Sequence, residues 1–210
     1  KTADLSIDRR VARIVNDVRR QGDRALIDYA RRFDGLTEPL EVSAREIRRG
    51  AAKTPSVVRA ALRKSAIHIR RIARLQVPRK WRSQIVPGVV VEQRVTPLAR
   101  VGCYVPGGRY PLPSSLLMTA IPARVAGVPD VIAVCPRLEP AVCSAALEAG
   151  ISRLFRIGGA HAIAALAYGT KSVPRVNKIV GPGSTFVASA KARVAGDCPI
   201  DFFAGPTEIV

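Results

Sequence analysis

The sequence has few acidic residues and only two histidines. Sixteen Asp and Glu stand against 34 Lys and Arg, which gives a net charge of +18. Residues 1–95 hold 23 basic and 10 acidic side chains, and residues 96–210 hold 11 and 6. A basic surface of this size favours anionic ligands or nucleic acid, but charge alone specifies neither fold nor function. His68 and His161 are too few nitrogen ligands for a zinc site built from this chain alone.

Long apolar runs and paired cysteine motifs are also missing. No apolar stretch reaches the ~20 residues that a membrane span needs. The first residues, KTADLSIDRRVARIV, lack the apolar core of a secretory signal. The four cysteines (Cys103, Cys135, Cys143 and Cys198) form no C-x-x-C pair, and three of them lie in or beside apolar patterns. We therefore expect reduced core thiols and a cytoplasmic protein without membrane contact.

Aromatic residues are scarce where the positive charge is densest. Within residues 1–80 only Tyr29 and Phe33 are aromatic, and both continue an apolar stripe. Proteins that bind single-stranded nucleic acid stack bases on aromatic side chains. We therefore expect no nucleic-acid partner, and a basic helical module that engages nucleic acid stays open as an alternative.

Helical spacing of apolar residues dominates the first 80 positions. Ile7, Val11, Ile14, Val15 and Val18 form one stripe, and Val58, Leu62, Ile69, Ile72 and Leu75 form another. Ser43 followed by Glu46 fits a capping box. After Pro78 the β-rich stretches Ile85-Val86 and Val89-Val90-Val91 flank a Pro87-Gly88 turn, which predicts a short hairpin.

From residue 96 onward, strand and helix patterns alternate. Strands are predicted at 100–105, 131–135, 154–157, 176–180 and 200–203, and helices at 114–126, 139–149, 160–168 and 184–194. Short strands separated by helices are typical of a parallel sheet with right-handed crossovers. The sequence therefore predicts an α/β fold, in which an N-terminal helical region with a short β-hairpin precedes a Rossmann-like parallel sheet with flanking helices.

Glycine-bearing loops follow four of the five predicted strands, with the sequences VPGGRYP, IGGAH, VGPGST and AGPTE. The carboxyl ends of parallel strands form the rim where ligands bind. Free N–H groups at the helix starts that follow would favour an anion. The plainer alternative is that these glycines only end strands and cap helices. The standard G-x-G-x-x-G dinucleotide motif is absent.

Six blocks of the sequence resemble the histidinol dehydrogenase family. Four of them, in the family's order, are VGCYVPGGRYPLPSSLLMTAIPARVAGV, RIGGAHAIAALAYGT, KIVGPGSTFVASAK and IDFFAGPTEIV. Earlier, VRRQGDRALIDYARRFDG and VPGVVVEQRVTPLARVG are similar to the family's N-terminal region. The resemblance covers nearly the whole chain.

The resemblance implies an NAD- and zinc-dependent homodimer that oxidises histidinol, an amino alcohol, to histidine in histidine biosynthesis. It implies two incomplete Rossmann-like domains. We therefore divide the chain into a helical region with a hairpin (1–95), a Rossmann-like domain (96–200) and the start of a second such domain (201–210).

The resemblance also assigns site residues. Tyr104 falls at the family's NAD-contacting tyrosine, and Thr207 at its substrate-binding serine or threonine. His161 and Ser184 fall where the family usually has an NAD-contacting glutamine and asparagine. Histidine can hydrogen-bond where an amide would, and serine can cap a helix as asparagine can. Tyr104 as a core residue without a ligand contact stays open.

The family's general base and zinc ligands lie beyond the AGPTE block, so this chain is expected to supply no catalytic or metal-binding residue and to be inactive alone. Two alternatives remain. One is a paralogue that oxidises another small polar alcohol, in which Arg109 pairs with an anionic substrate. The other is an inactive binding module.

Overall fold

The predicted N-terminal helices form in the computed structural model, which describes residues 5–107 and 112–203. They are α1 (Leu5–Gln21), α2 (Asp23–Tyr29), a π-helical turn (Ala30–Asp34), α3 (Ala44–Ala52) and α4 (Ser56–Gln76). In α1 the buried side chains are Val11, Ile14, Val15 and Val18, four of the five in the predicted stripe. Helix α3 begins where the capping signal predicts, because Ser43 Oγ accepts a hydrogen bond from the Glu46 N–H at 3.2 Å. The Glu46 carboxylate does not complete the box, since it pairs with Arg156.

The predicted parallel sheet is confirmed, with four strands in place of five. Its strands are β3 (Arg100–Tyr104), β4 (Asp130–Val134), β5 (Arg153–Phe155) and β6 (Lys178–Val180), in the order β5-β4-β3-β6. All three neighbouring pairs are parallel. The connecting helices are α5 (Pro113–Val125), α6 (Pro140–Ala149), α7 (Gly159–Tyr168) and α8 (Thr185–Val194).

Alternating strand residues bury both faces of this sheet. Ile132 and Val134 of β4 join one core cluster with side chains of α1, α2, α7 and α8. Val131 and Ala133, at the intervening positions, join a second cluster with side chains of α4, α5 and α6. A sheet covered on both faces is the arrangement expected of parallel strands. The N-terminal helices complete both helical layers, and the predicted stripe of α1 packs there. The predicted stripe of α4 is only partly right, because Leu62 is buried but Ile72 and Leu75 are exposed.

The predicted fifth strand at 200–203 is wrong. Only Ile200 pairs with the sheet, through one bridge to Ile179. At the next residue the Asp201 carboxylate accepts hydrogen bonds from the Gly181 N–H at 2.8 Å, from the Phe202 N–H at 2.9 Å and from the Lys191 ammonium. These local bonds turn the backbone out of the ladder before a strand can continue.

The predicted hairpin is confirmed as β1 (Trp81–Val86) and β2 (Val89–Gln93), which pair antiparallel around Pro87 and Gly88. Every residue of both strands is exposed, including Trp81 and Ile85. A lone two-stranded hairpin is at best marginally stable in water. Its apolar side chains are therefore suited to burial against another surface.

Along the described residues, no helix is both long and apolar enough to cross a membrane. The division at residue 95 stays a prediction. Most of 201–210, the predicted start of a second domain, lies outside the described residues.

Candidate functional site

A cavity of about 250 Å³ lies at the carboxyl rim of the sheet, between α1, the π-helical turn and the starts of α7 and α8. Its lining consists of Arg10, Ile14, Phe33, Asp34, Gly159, Ala160, His161, Ser184 and Phe186. Two of the predicted site residues, His161 and Ser184, therefore share one cavity although they lie on different loops. Four of the nine lining residues come from the N-terminal helical region.

Close packing between the rim loops explains several of their glycines. A Cβ added to Gly107 or Gly158 would lie 2.4 or 2.7 Å from Pro136 Cγ. A Cβ on Gly181 would lie 2.3 Å from the Tyr104 carbonyl oxygen. The plainer alternative, in which these glycines serve the protein's own packing, therefore holds for these three positions. That alternative does not account for the cavity that Gly159 lines.

Tyr104, at the end of β3, is a core residue that touches the rim. Only 5% of it is exposed, and burial raises the pKa of its phenol to about 12. Its hydroxyl oxygen accepts a hydrogen bond from the Gly159 N–H at 3.0 Å. Tyr104 thus holds the start of α7 in place through Gly159, which lines the cavity.

His161, in the first turn of α7, is 1% exposed and is held by a carboxylate from the N-terminal region. Its Nε2 lies 2.8 Å from Asp34 Oδ2. The rings of Tyr29 and Phe33 each lie 6.2 Å from the imidazole, centroid to centroid. The ring is therefore fixed at one edge by Asp34 and flanked by two aromatic side chains.

The N-terminus of α7 is less available to a ligand than the sequence suggests. Asp34 Oδ2 also accepts the Gly158 N–H at 2.9 Å, and the Gly159 N–H is taken by Tyr104. A carboxylate at this positive end of the helix dipole is favourable. The expectation of free N–H groups for an anion is therefore wrong for these two residues, because the protein's own side chains occupy them.

Ser184 stands at the N-cap of α8, yet its side chain makes no capping hydrogen bond, so the alternative in which the hydroxyl caps the helix is wrong. The residue is exposed and lines the cavity. Across from it, the Arg10 guanidinium lies 5.3 Å above the Phe186 ring. A hydroxyl without a capping partner and a cation therefore face the same space.

Sequence reasoning missed Asp34, Phe33 and Arg10. Phe33 ends a helical stripe, the Asp34-Gly35 pair indicates only a turn, and Arg10 is one of many arginines on α1. Only the packing of α1 and the π-helical turn onto the sheet reveals that they reach the rim.

Thr207 and Arg109 lie outside the described residues. Among residues 5–107 and 112–203, no group of three or more His, Cys, Asp or Glu is placed to hold a metal ion. All four cysteines are free and buried, which confirms the expected reduced core thiols.

A larger groove of about 720 Å³ runs along α4, α5 and the loop after β6. Its walls are mainly apolar, as at Val77, Leu98 and Met118. It contains none of the predicted site residues, so the smaller cavity is the better candidate for a polar ligand.

Comparison with known proteins identifies the family. The family model described as histidinol dehydrogenase matches residues 1–210. The histidinol dehydrogenase of Syntrophotalea carbinolica is 48% identical over 217 residues, and that of Methanothermobacter thermautotrophicus is 46% identical over 206. These alignments cover 100% and 95% of this chain but 50% and 48% of the relatives.

A solved structure agrees with the sequence comparisons. The crystal structure of histidinol dehydrogenase from Elizabethkingia anophelis superimposes with a TM-score of 0.91 at 32% identity, covering 99% of this chain and 49% of that one. The chain thus spans about half the length of the curated relatives it matches. Together with the α/β/α fold, these matches show that the chain belongs to the histidinol dehydrogenase family.

Proposed function

We propose that this protein takes part in the NAD-dependent oxidation of histidinol to histidine, and that the cavity at the sheet rim binds NAD. Family membership over the whole chain carries the proposal. The meeting of His161 and Ser184 in one cavity, with Tyr104 beside it, supports the site.

The chemistry of the cavity fits a dinucleotide. His161 and Ser184 offer hydrogen-bonding groups, the Phe33 and Phe186 rings offer apolar surface, and Arg10 adds positive charge. The bound cofactor would supply the hydride acceptor for oxidation of the alcohol. The residues of this chain would bind and orient the cofactor, and Thr207 would contact the amino alcohol.

Zinc and the general base belong to a part of the family sequence that follows the AGPTE block. We propose that the complete reaction uses zinc held by residues in that part, where it would polarise the alcohol. We therefore expect residues 1–210 by themselves to bind NAD without oxidising the alcohol.

Calorimetry with NAD tests the site independently of turnover. Ser184→Ala removes a hydroxyl from the cavity and should weaken binding about threefold to tenfold, the value of one hydrogen bond of ~1 kcal/mol. Ser65→Ala, at an exposed position on α4, is the matched control and should bind as the unaltered protein does. Ser184→Asn, which restores the family's usual residue, should keep or tighten binding.

Failure to detect NAD binding by the unaltered, folded protein would rule out the cavity as a cofactor site. The substrate is tested with the chain extended by the family's second half, by following NADH formation. Turnover of another small alcohol without turnover of histidinol would favour the paralogue.

We propose a homodimer, as the resemblance implies, in which a second copy covers the exposed hairpin. Val89, Val90 and Val91 are each more than 40% exposed, which supports burial in an assembly. Analytical ultracentrifugation should show a dimer, and Val90→Asp should shift it toward monomer. A monomer at all concentrations would overturn this part of the proposal. The buried free thiols support a cytoplasmic location.

A further inference from the structure

We propose that Asp34 is a positioning residue of the nucleotide site, which fixes the Nε2–H form of His161 and presents the opposite edge of the ring to the ligand. The inference deepens the proposed NAD site and rests on it. It starts from the contact between the His161 ring and the Asp34 carboxylate.

A glutamine amide carries both donors and an acceptor, so it can hydrogen-bond to a donor or an acceptor of a ligand without a neighbouring group. A neutral imidazole has one donor nitrogen and one acceptor nitrogen, and a neighbouring group determines which of the two carries the proton. For His161 that neighbour is Asp34, whose Oδ2 lies 2.8 Å from Nε2. Because an ionised carboxylate only accepts hydrogen bonds, the proton must sit on Nε2.

The other edge of the ring is then left for a ligand. A Cβ added to Gly159 would lie 3.5 Å from both Nδ1 and Cε1 of His161, so this edge lies beside Gly159, which lines the same cavity. Gly159 has a positive φ of +56°, which residues with a side chain rarely adopt, and it places no side chain beside that edge. Because Asp34 takes Nε2 and both Gly159 and His161 line the cavity, a ligand there would meet the Nδ1 side of the ring.

Asp34 is itself held firmly. Its Oδ2 accepts the Gly158 N–H at 2.9 Å, and Gly35 ends the π-helical turn in the left-handed conformation immediately after it. The Asp34 side chain is 10% exposed and that of His161 2%. A carboxylate fixed by a helix N-terminus can hold an imidazole in one orientation, as the partners of catalytic and metal-binding histidines do.

Nuclear magnetic resonance of the ¹⁵N-labelled full chain tests the protonated nitrogen directly. Only His68 and His161 contribute signals, and His161→Gln assigns them. The unaltered protein should show His161 with its proton on Nε2. Asp34→Ala, which removes the acceptor, should release the ring into a mixture of both neutral forms. Asp34→Asn keeps an oxygen acceptor in place and should retain the Nε2–H form.

Calorimetry with NAD then separates positioning from a merely structural role. Asp34→Ala should weaken binding about tenfold, the equivalent of one charge-assisted hydrogen bond, and Asp34→Asn should weaken it less. In the His161→Gln background the same Asp34→Ala change should cost little affinity, because glutamine needs no partner to choose its donor. The Gly158 N–H loses its acceptor in both backgrounds, so that contribution cancels.

Three results would overturn the inference: a proton on Nδ1 in the unaltered protein, unchanged NAD affinity in Asp34→Ala, or an equal loss of affinity in both backgrounds. The first needs no change at Asp34, so it decides the matter even if Asp34→Ala does not fold. If the unaltered protein gives no heat with NAD while the ring behaves as expected, the proposed cofactor site is refuted and the pairing of Asp34 with His161 stands.

Discussion

Replacing Gly181 by alanine should be far more damaging than replacing Gly150 or Gly196. Gly181 follows β6 at φ +119°, a conformation that residues with a side chain rarely adopt. Its added Cβ would lie 2.3 Å from the Tyr104 carbonyl oxygen and 3.2 Å from the Tyr104 nitrogen. Both are backbone atoms of a central strand, so neither can move aside as a flexible side chain would.

Two other glycines separate the contributions to that cost. Gly150 ends α6 at φ +63° with no atom within 4 Å of an added Cβ, so Gly150→Ala measures backbone strain alone. Gly196 has open space and no left-handed φ, so Gly196→Ala should change the unfolding free energy by less than about 0.5 kcal/mol. Strain alone should cost Gly150→Ala about 1 kcal/mol.

Gly181→Ala adds the steric overlap to the strain. Overpacking typically costs ~1–3 kcal/mol, so the total should be about 3 kcal/mol. For a chain of this size, 1 kcal/mol lowers the melting temperature by roughly 2–4 °C. Gly181→Ala should therefore melt about 6–12 °C lower than the unaltered protein, and Gly150→Ala about 2–4 °C lower. Calorimetric and urea unfolding of the three variants give these values.

The same change should reach the site, because the loop from Gly181 leads directly into Ser184. NAD should bind Gly181→Ala more weakly than Gly150→Ala under conditions in which both are folded. Equal destabilisation of these two variants would refute the reasoning, since it would mean that the Tyr104 backbone does not confine the loop.

Three further predictions concern charge and thiol chemistry. Arg156 pairs with Glu46 and with Glu38 at 3.0 Å, and it donates a hydrogen bond to the Pro39 carbonyl at 2.8 Å. Urea unfolding of Arg156→Met should therefore show an unfolding free energy lowered by about 2–3 kcal/mol. The control, Arg63→Met, removes an exposed pair with Glu148 and should lower it by less than about 1 kcal/mol. Burial raises the pKa of Cys103 to about 12 and of Cys135 to about 11, so thiol reagents should label neither residue at neutral pH until denaturant is added, and rapid labelling of the native protein would contradict their placement. Burial raises the pKa of Asp201, but hydrogen bonds from Lys191, Gly181 and Phe202 outweigh this effect and hold the pKa below 3.8. The Asp201 carboxylate should therefore stabilise the fold fully above about pH 5, and this contribution should be lost as the pH falls below 3.8. Asp201→Asn should flatten the acid dependence of the unfolding free energy.

The sequence predicts most of the fold because local signals and tertiary packing agree there. The stripe of α1 is the buried face of the helix, and the alternation of apolar residues in β4 serves the two sides of the sheet. The predicted strand at 200–203 fails for the opposite reason. Its apolar residues match a strand, but Asp201 makes local hydrogen bonds that no hydropathy pattern reveals.

The site was only partly predictable for a related reason. Glycine loops indicate the rim, because parallel strands bring their carboxyl ends to one edge. The same loops do not reveal which N–H groups are already taken. Asp34 reaches Gly158 across 124 residues and His161 across 127, a separation that no local pattern connects.

The N-terminal helices therefore belong to the function as much as to the core. Arg10, Phe33 and Asp34 supply one side of the cavity, while His161 and Ser184 supply the other. The sheet rim without those helices would leave the Gly158 N–H free and the His161 ring without its partner, although Tyr104 would still bond the Gly159 N–H. A helix N-terminus of that kind would bind any anion of suitable size. With its own carboxylate placed there, the site that we propose would rely on the imidazole edge, the Ser184 hydroxyl and the Arg10 guanidinium for ligand recognition, and these groups together would distinguish a nucleotide from a simple anion.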